Sequence, residues 1–159
     1  MEEDVYNPIK KMGAGVNIVL SDCCNNTVAG ANVNIDNVMV TTHKHNHSRQ
    51  TDAAKKNGHE LFMPDEHLSI LATAASPGEL SCGKDKVGGF FTTFFLDDLD
   101  DLIDADTDDD DNDATWESIF KYAKDNAAYQ ARSAPCPTTK HNEQGRCVQT
   151  VKIKIETGN

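Results

Sequence analysis

"NIVLSDCCNN", from Asn17 to Asn26, is the stretch whose reading decides the fold of this chain. Its apolar run, Ile18-Val19-Leu20, stops on Ser21-Asp22, and two cysteines follow with no spacer. Val16 to Leu20 is short, continuous and apolar, the pattern of a strand buried in a parallel sheet. Ahead of it, residues 1–15 read as the end of a helix and a Gly13-Ala14-Gly15 turn that caps it and enters the strand. In open α/β sheets, ligands and reacting groups gather beyond the carboxyl ends of strands. Asp22, Cys23 and Cys24 stand at such an end.

Outward from this point, residues 25–67 are polar and rich in Asn, Lys and His, and read as one long connection. Val33 to Val40 is its one candidate strand. Connections this long inside a compact domain are usually functional or disordered. "LSILATAA", Leu68 to Ala75, is a second buried strand, and it ends in "SPGELSCG", where Pro77-Gly78 signals a turn. "GGFFTTFFLDDLDDLI" has helical spacing, with Phe91, Phe95, Leu99 and Leu102 on one stripe and Phe94 and Ile103 widening it. A second helix starts at Thr115, a capping residue, with Glu117 favourable in the first turn. Its apolar face is Trp116, Ile119, Phe120, Ala123 and Ala127. "VQTVKIKIE" alternates Val151, Ile153 and Ile155 with Lys152 and Lys154, a half-exposed strand for a sheet edge, where lysines discourage further pairing. Strand, loop, strand, helix, helix, strand is an α/β order. Three strands are few for a stable sheet, so the chain reads as the back portion of a larger domain.

The bulk numbers restrict the partners. In 159 residues, 26 acidic against 15 basic side chains give a net charge of -11. Phosphate binding needs clustered Lys and Arg, so nucleic acid and anionic membrane surfaces are not expected partners. No stretch approaches the roughly 20 apolar residues of a membrane span. The acidic start "MEEDVYNPIKK" is not a secretory signal. Five cysteines, two of them adjacent, suit free thiols in a reducing, cytoplasmic setting. Cys136 and Cys147 bracket a polar loop; a pair and two free thiols are both open, the latter favoured.

A thiol at a strand end is either a nucleophile awaiting a base or a small apolar space-filler. Position alone favours the filler. The order "NIVLSDCCNN", "ILATAASPGELSCG", "GGFFTTFFL", "TWESIFKYA" resembles the C-terminal half of caspase-like cysteine peptidases, the metacaspase branch in particular. That resemblance spans about residues 10–130 and takes in the final strand. It implies a caspase-like, mostly parallel sheet flanked by helices, incomplete on its N-terminal side. Residues 1–24 would carry the nucleophile strand, 25–67 the connection, and 68–159 a small-subunit-like part with an acidic insert at 104–113.

By the same resemblance Cys24 matches the family nucleophile, and Cys23 the small residue before it. Asp22 matches the acid of the primary specificity pocket, and Ser81 a pocket-lining serine. A carboxylate at a pocket base pairs with an Arg or Lys of the substrate. The Cys24 backbone N–H would be one oxyanion donor. The expected activity is therefore cleavage of a peptide or protein substrate after Arg or Lys. Two departures weaken the match. Asn25-Asn26-Thr27 stand where the family often has Gly. The family's catalytic His lies upstream of the nucleophile strand, and this chain has no His before His43. General-base catalysis typically supplies ~10²–10⁴-fold, so the chain is expected to be nearly inactive unless a complementary His-bearing segment joins it.

The other readings stay in view. "HKHNH" sets His43, His45 and His47 on alternate residues, a solvated loop before it is a metal site; His59, His67 and His141 are scattered. Calcium activates several metacaspases, and Asp104, Asp106 and Asp108 occupy the first ligand positions of a helix–loop–helix calcium loop. Asp109 and Thr115 replace its Gly and Glu, so no cofactor is expected beyond weak Ca2+ binding. Gly88-Gly89 before a helix is a feature of anion sites, too weak alone to carry one. The functional alternatives are a non-catalytic caspase-like interaction module and, third, a redox or metal protein using the vicinal thiols.

Overall fold

The computed structural model describes residues 2–22, 52–84, 88–103, 115–133 and 145–158. Helix α1 (Glu2–Lys10) ends as expected: Lys11 and Met12 donate to Asn7 and Ile9, and Gly13, at φ +72°, turns the chain out of the helix. Strand β1 (Val16–Ser21) then pairs in parallel with β2 (His67–Thr73), Val16 opposite Leu68 through Ser21 opposite Thr73. Strand β5 (Lys152–Gly158) pairs antiparallel with the other side of β2, giving a three-stranded mixed sheet in the order β1-β2-β5. The α/β class expected from the sequence is present, with one parallel and one antiparallel pairing.

The connection 25–67 is not wholly irregular. Helix α2 (Asp52–Phe62) occupies its last third and buries Ala54, Asn57 and Leu61. The spacing of Ala54, Asn57 and Leu61 is helical, but an Asn in the apolar stripe and Gly58 beside it concealed the pattern. Asn57 is buried because its amide donates to the Leu102 carbonyl, 2.7 Å away, near the end of α3 (Phe90–Ile103). The stretch 33–40 lies outside the described residues, as does the acidic run 104–113.

The even face of β1 and β2 and the odd face of β5 meet the helices. Ile70 and Ala72 are fully buried, with Val16, Ile18, Leu68, Ile153 and Ile155 packed around the same core. Phe90, Phe91, Phe94 and Phe95 of α3 and Trp116, Ile119, Phe120, Ala123 and Ala127 of α4 (Trp116–Ala131) fill the other side. Their rings interlock, Phe95 lying 5.2 Å from Phe120 and 6.5 Å from Trp116 between centroids, spacings at which aromatic pairs attract beyond simple burial. The Trp116 indole N–H reaches the Leu61 carbonyl at 2.9 Å and ties α4 to α2. Thr115 caps α4 as expected, in a reciprocal box with Ser118.

The opposite face is mixed, with Val19 and Leu71 among Asn17, Ser69 and Glu156, and carries α1. Tyr6, 1% exposed, donates to Glu156 Oε2 at 2.5 Å and to the Ser69 carbonyl at 3.2 Å. Lys10 and Lys154 also reach the Glu156 carboxylate. Hydrogen bonds from Tyr6, Lys10 and Lys154 pull the Glu156 pKa down to about 2. On α3, burial and then the neighbours Asp101 and Asp97 push Asp98 up to about 6. The two signs oppose. Glu156 stabilises the fold above its ordinary value of about 4, and that stability is lost as pH falls toward 2. Asp98 stabilises only when protonated, so stability rises as pH falls through 6. A urea-melt series should therefore give a maximum near pH 4. Asp98→Asn should remove the loss between about pH 4 and 6, and Glu156→Gln the loss below about 4.

Candidate functional site

Asp22 is the first residue past β1, at the carboxyl end of the parallel pair, where the Ala74 amide donates to the Ser21 carbonyl. Its half-buried carboxylate draws together three segments remote in sequence. The Ser81 hydroxyl donates to Oδ1. The Thr92 amide and hydroxyl both donate to Oδ2, at 3.1 and 2.6 Å. The structure thus joins two of the sequence-derived candidates, Asp22 and Ser81, and adds Thr92, which the sequence reading did not single out. Cys23 and Cys24 lie outside the described residues.

The approach depends on glycines. The loop after β2 forms a short hairpin, β3 (Gly83–Lys84) against β4 (Gly88–Gly89), which delivers the chain into α3. Gly88 sits at φ +109°, a conformation costly for other residues. A Cβ on Gly89 would overlap the Asp22 carboxylate. Lacking a side chain, Gly89 cannot cap α3 itself, and Asp22 supplies the acceptor for an amide of the first turn from across the fold. The Gly pair does mark an anion site, and the anion is the protein's own. A lone Gly-Gly could not reveal this, because the acid that fills the cradle lies 67 residues away.

An ionised carboxylate offers about four lone-pair sites. Among the described residues three donors occupy Asp22, which leaves room for about one more. Among the described residues no Lys or Arg is paired with it. The site can accept a single further donor, an ammonium or one arm of a guanidinium.

A second polar cluster fixes the loop that carries Ser81. Glu79, 7% exposed, accepts from the Ser76 amide at 3.1 Å, the Thr150 amide at 2.7 Å and the Thr150 hydroxyl at 3.0 Å. The Ser76 hydroxyl donates in turn to the Thr150 carbonyl. Gln149 Oε1 accepts from the Cys82 amide at 3.0 Å. Cys82 and Cys147 are both buried, and Cys136 lies outside the described residues. No sequence signal distinguishes Glu79 from the solvated carboxylates, because its burial depends on Thr150 arriving from 71 residues downstream.

The described histidines stand elsewhere. His67 opens β2, with its ring Nδ1 3.1 Å from the Ala14 carbonyl, at the far end of the strands from Asp22. His59 lies in the last turn of α2, the helix tied to the C-terminal end of α3 rather than to its start. Neither shares the Asp22 corner; His43, His45, His47 and His141 lie outside the described residues. Among the described residues no group of three or more His, Cys, Asp or Glu side chains could hold a metal ion. No described helix is long and apolar enough to cross a membrane. No protein-family model, curated protein or solved structure matches this chain.

Proposed function

We propose that the chain is the nucleophile-bearing part of a caspase-like cysteine endopeptidase that cleaves after Arg or Lys. The observation that supports this reading is the Asp22–Ser81 hydrogen bond at the carboxyl end of a parallel strand. Two residues matched to a specificity pocket from separate segments meet where α/β enzymes assemble their sites. Cys24 follows Asp22 by two residues and is the nucleophile. Its thiolate attacks the scissile carbonyl, its own amide helps hold the oxyanion, and the leaving amine takes a proton from a His on a complementary segment. Asp22, held in one rotamer by Ser81 and Thr92, receives the substrate cation.

The test is reconstitution with a His-bearing segment and an assay on Arg, Lys and Asp peptides. Cys24→Ala should abolish turnover. Asp22→Asn should cut kcat/KM for basic peptides by about 10–100-fold, the worth of one charge-assisted hydrogen bond. Full activity in Cys24→Ala, or a preference for Asp peptides, would refute the assignment. Should no reconstituted form cleave, the second reading gains.

That second reading is a non-catalytic interaction module, and one observation favours it. Asp22 is nearly saturated as the cap of α3, a role that needs no substrate. Thiol labelling separates the two. A Cys24 that reacts at neutral pH much faster than Cys136 supports a tuned nucleophile; equal rates support the module.

A further inference from the structure

At the other end of the sheet a cleft of about 360 Å³ opens between the end of α2, the start of β2 and the first turn of α4. Six strand residues at ~3.3 Å each set it ~20 Å from the Asp22 corner. Its walls are Leu61, Pro64, Leu68 and Trp116, and its polar groups are Glu60, Glu117 and Thr115. Thr115 is already committed as the cap of α4. The two glutamates are exposed, and among the described residues no lining residue is basic. Glu60 has Lys56 as a partner only at 3.9 Å, a pair that solvent screens heavily. Glu117 offsets the positive end of the α4 dipole, so the cleft has no net attraction for anions.

Apolar walls topped by carboxylates suit one kind of side chain: an aliphatic stem with a cationic head. Phe62 and Met63, beside the cleft, are 45% and 69% exposed. A free small cation would leave them bare, whereas apolar residues flanking a lysine in a peptide would cover them. We infer that this cleft is a docking site for a lysine- or arginine-bearing segment of a protein partner, with apolar residues beside the cation. The net charge of -11 steers such a partner toward the molecule. The inference does not rest on the peptidase reading, since the cleft is remote from Asp22 and binding needs no turnover.

Trp116 is the sole tryptophan and lines the cleft, so its emission reports occupancy directly. The probe is the capped tripeptide Ac-Leu-Lys-Leu-NH2, with norleucine replacing lysine as the neutral control. The lysine peptide should shift Trp116 emission saturably, and raising the salt should weaken it. The control should bind several-fold more weakly. Glu60→Gln and Glu117→Gln, both on exposed positions, should each weaken the lysine peptide by ~3-fold while leaving far-UV dichroism unchanged. The inference is overturned by no response at millimolar lysine peptide, by equal binding of the norleucine control, or by unchanged affinity in the double variant.

Discussion

Gly89→Ala is expected to destabilise the protein by about 2–4 kcal/mol, a fall of roughly 6–12 °C in Tm at this chain length. Gly89 does not occupy the left-handed region, so the backbone itself tolerates alanine. The cost arises from one contact, because the new methyl would occupy the place of the Asp22 carboxylate. Either the carboxylate swings out, leaving the Thr92 amide and Ser81 without their acceptor, or the start of α3 moves away from β1. Asp22→Ala removes the obstacle. In that background Gly89→Ala should cost less than about 1 kcal/mol, the ordinary difference between these residues at a cap. The coupling in the double-mutant cycle should therefore be about 2 kcal/mol. Equal costs in the two backgrounds would show that Gly89 serves some other purpose. If Asp22 also receives a substrate cation, the same substitution lowers kcat/KM for basic peptides in the reconstituted enzyme.

The sequence made the framework legible because its signals are local. Val16–Leu20 and Leu68–Thr73 are mainly apolar runs, interrupted at Asn17 and at Ser69, and both lie within strands. Thr115 announces α4, and the stripe from Trp116 to Ala127 is buried as its 3.6-residue period requires. Lys152 and Lys154 mark the half-exposed strand at the sheet edge. Where the reading fell short, the deciding interaction was non-local. Helix α2 was concealed because Asn57 becomes a core residue only through the Leu102 carbonyl. Asp22 and Ser81 were legible as separate candidates through a family resemblance. That Thr92 and Gly89 complete their setting is a property of the folded chain, visible only when α3 is set against the end of β1.

Glu79→Ala should be the costliest single change in the loop after β2, about 3–4 kcal/mol by urea denaturation. The carboxylate is buried, and no cation is paired with it among the described residues. Its contribution therefore resides in its three donors. Truncation leaves the Thr150 and Ser76 amides without their acceptor, and groups buried in this way cost more than the bond itself was worth. Glu79→Gln should cost only about 1 kcal/mol. The retained oxygen can face the two amides, and the new NH2 can donate to the Thr150 hydroxyl, which rotates to accept. Amide exchange provides the local readout: Thr150 should lose protection in the alanine variant and keep it in the glutamine variant. Similar losses in both would mean that net charge, rather than acceptor geometry, holds the loop. The consequence for the site follows from the chain, since Ser81 lies two residues beyond Glu79. A loop released from Thr150 no longer presents the Ser81 hydroxyl to Asp22, so Glu79→Ala should mimic Ser81→Ala in any assay of the Asp22 corner.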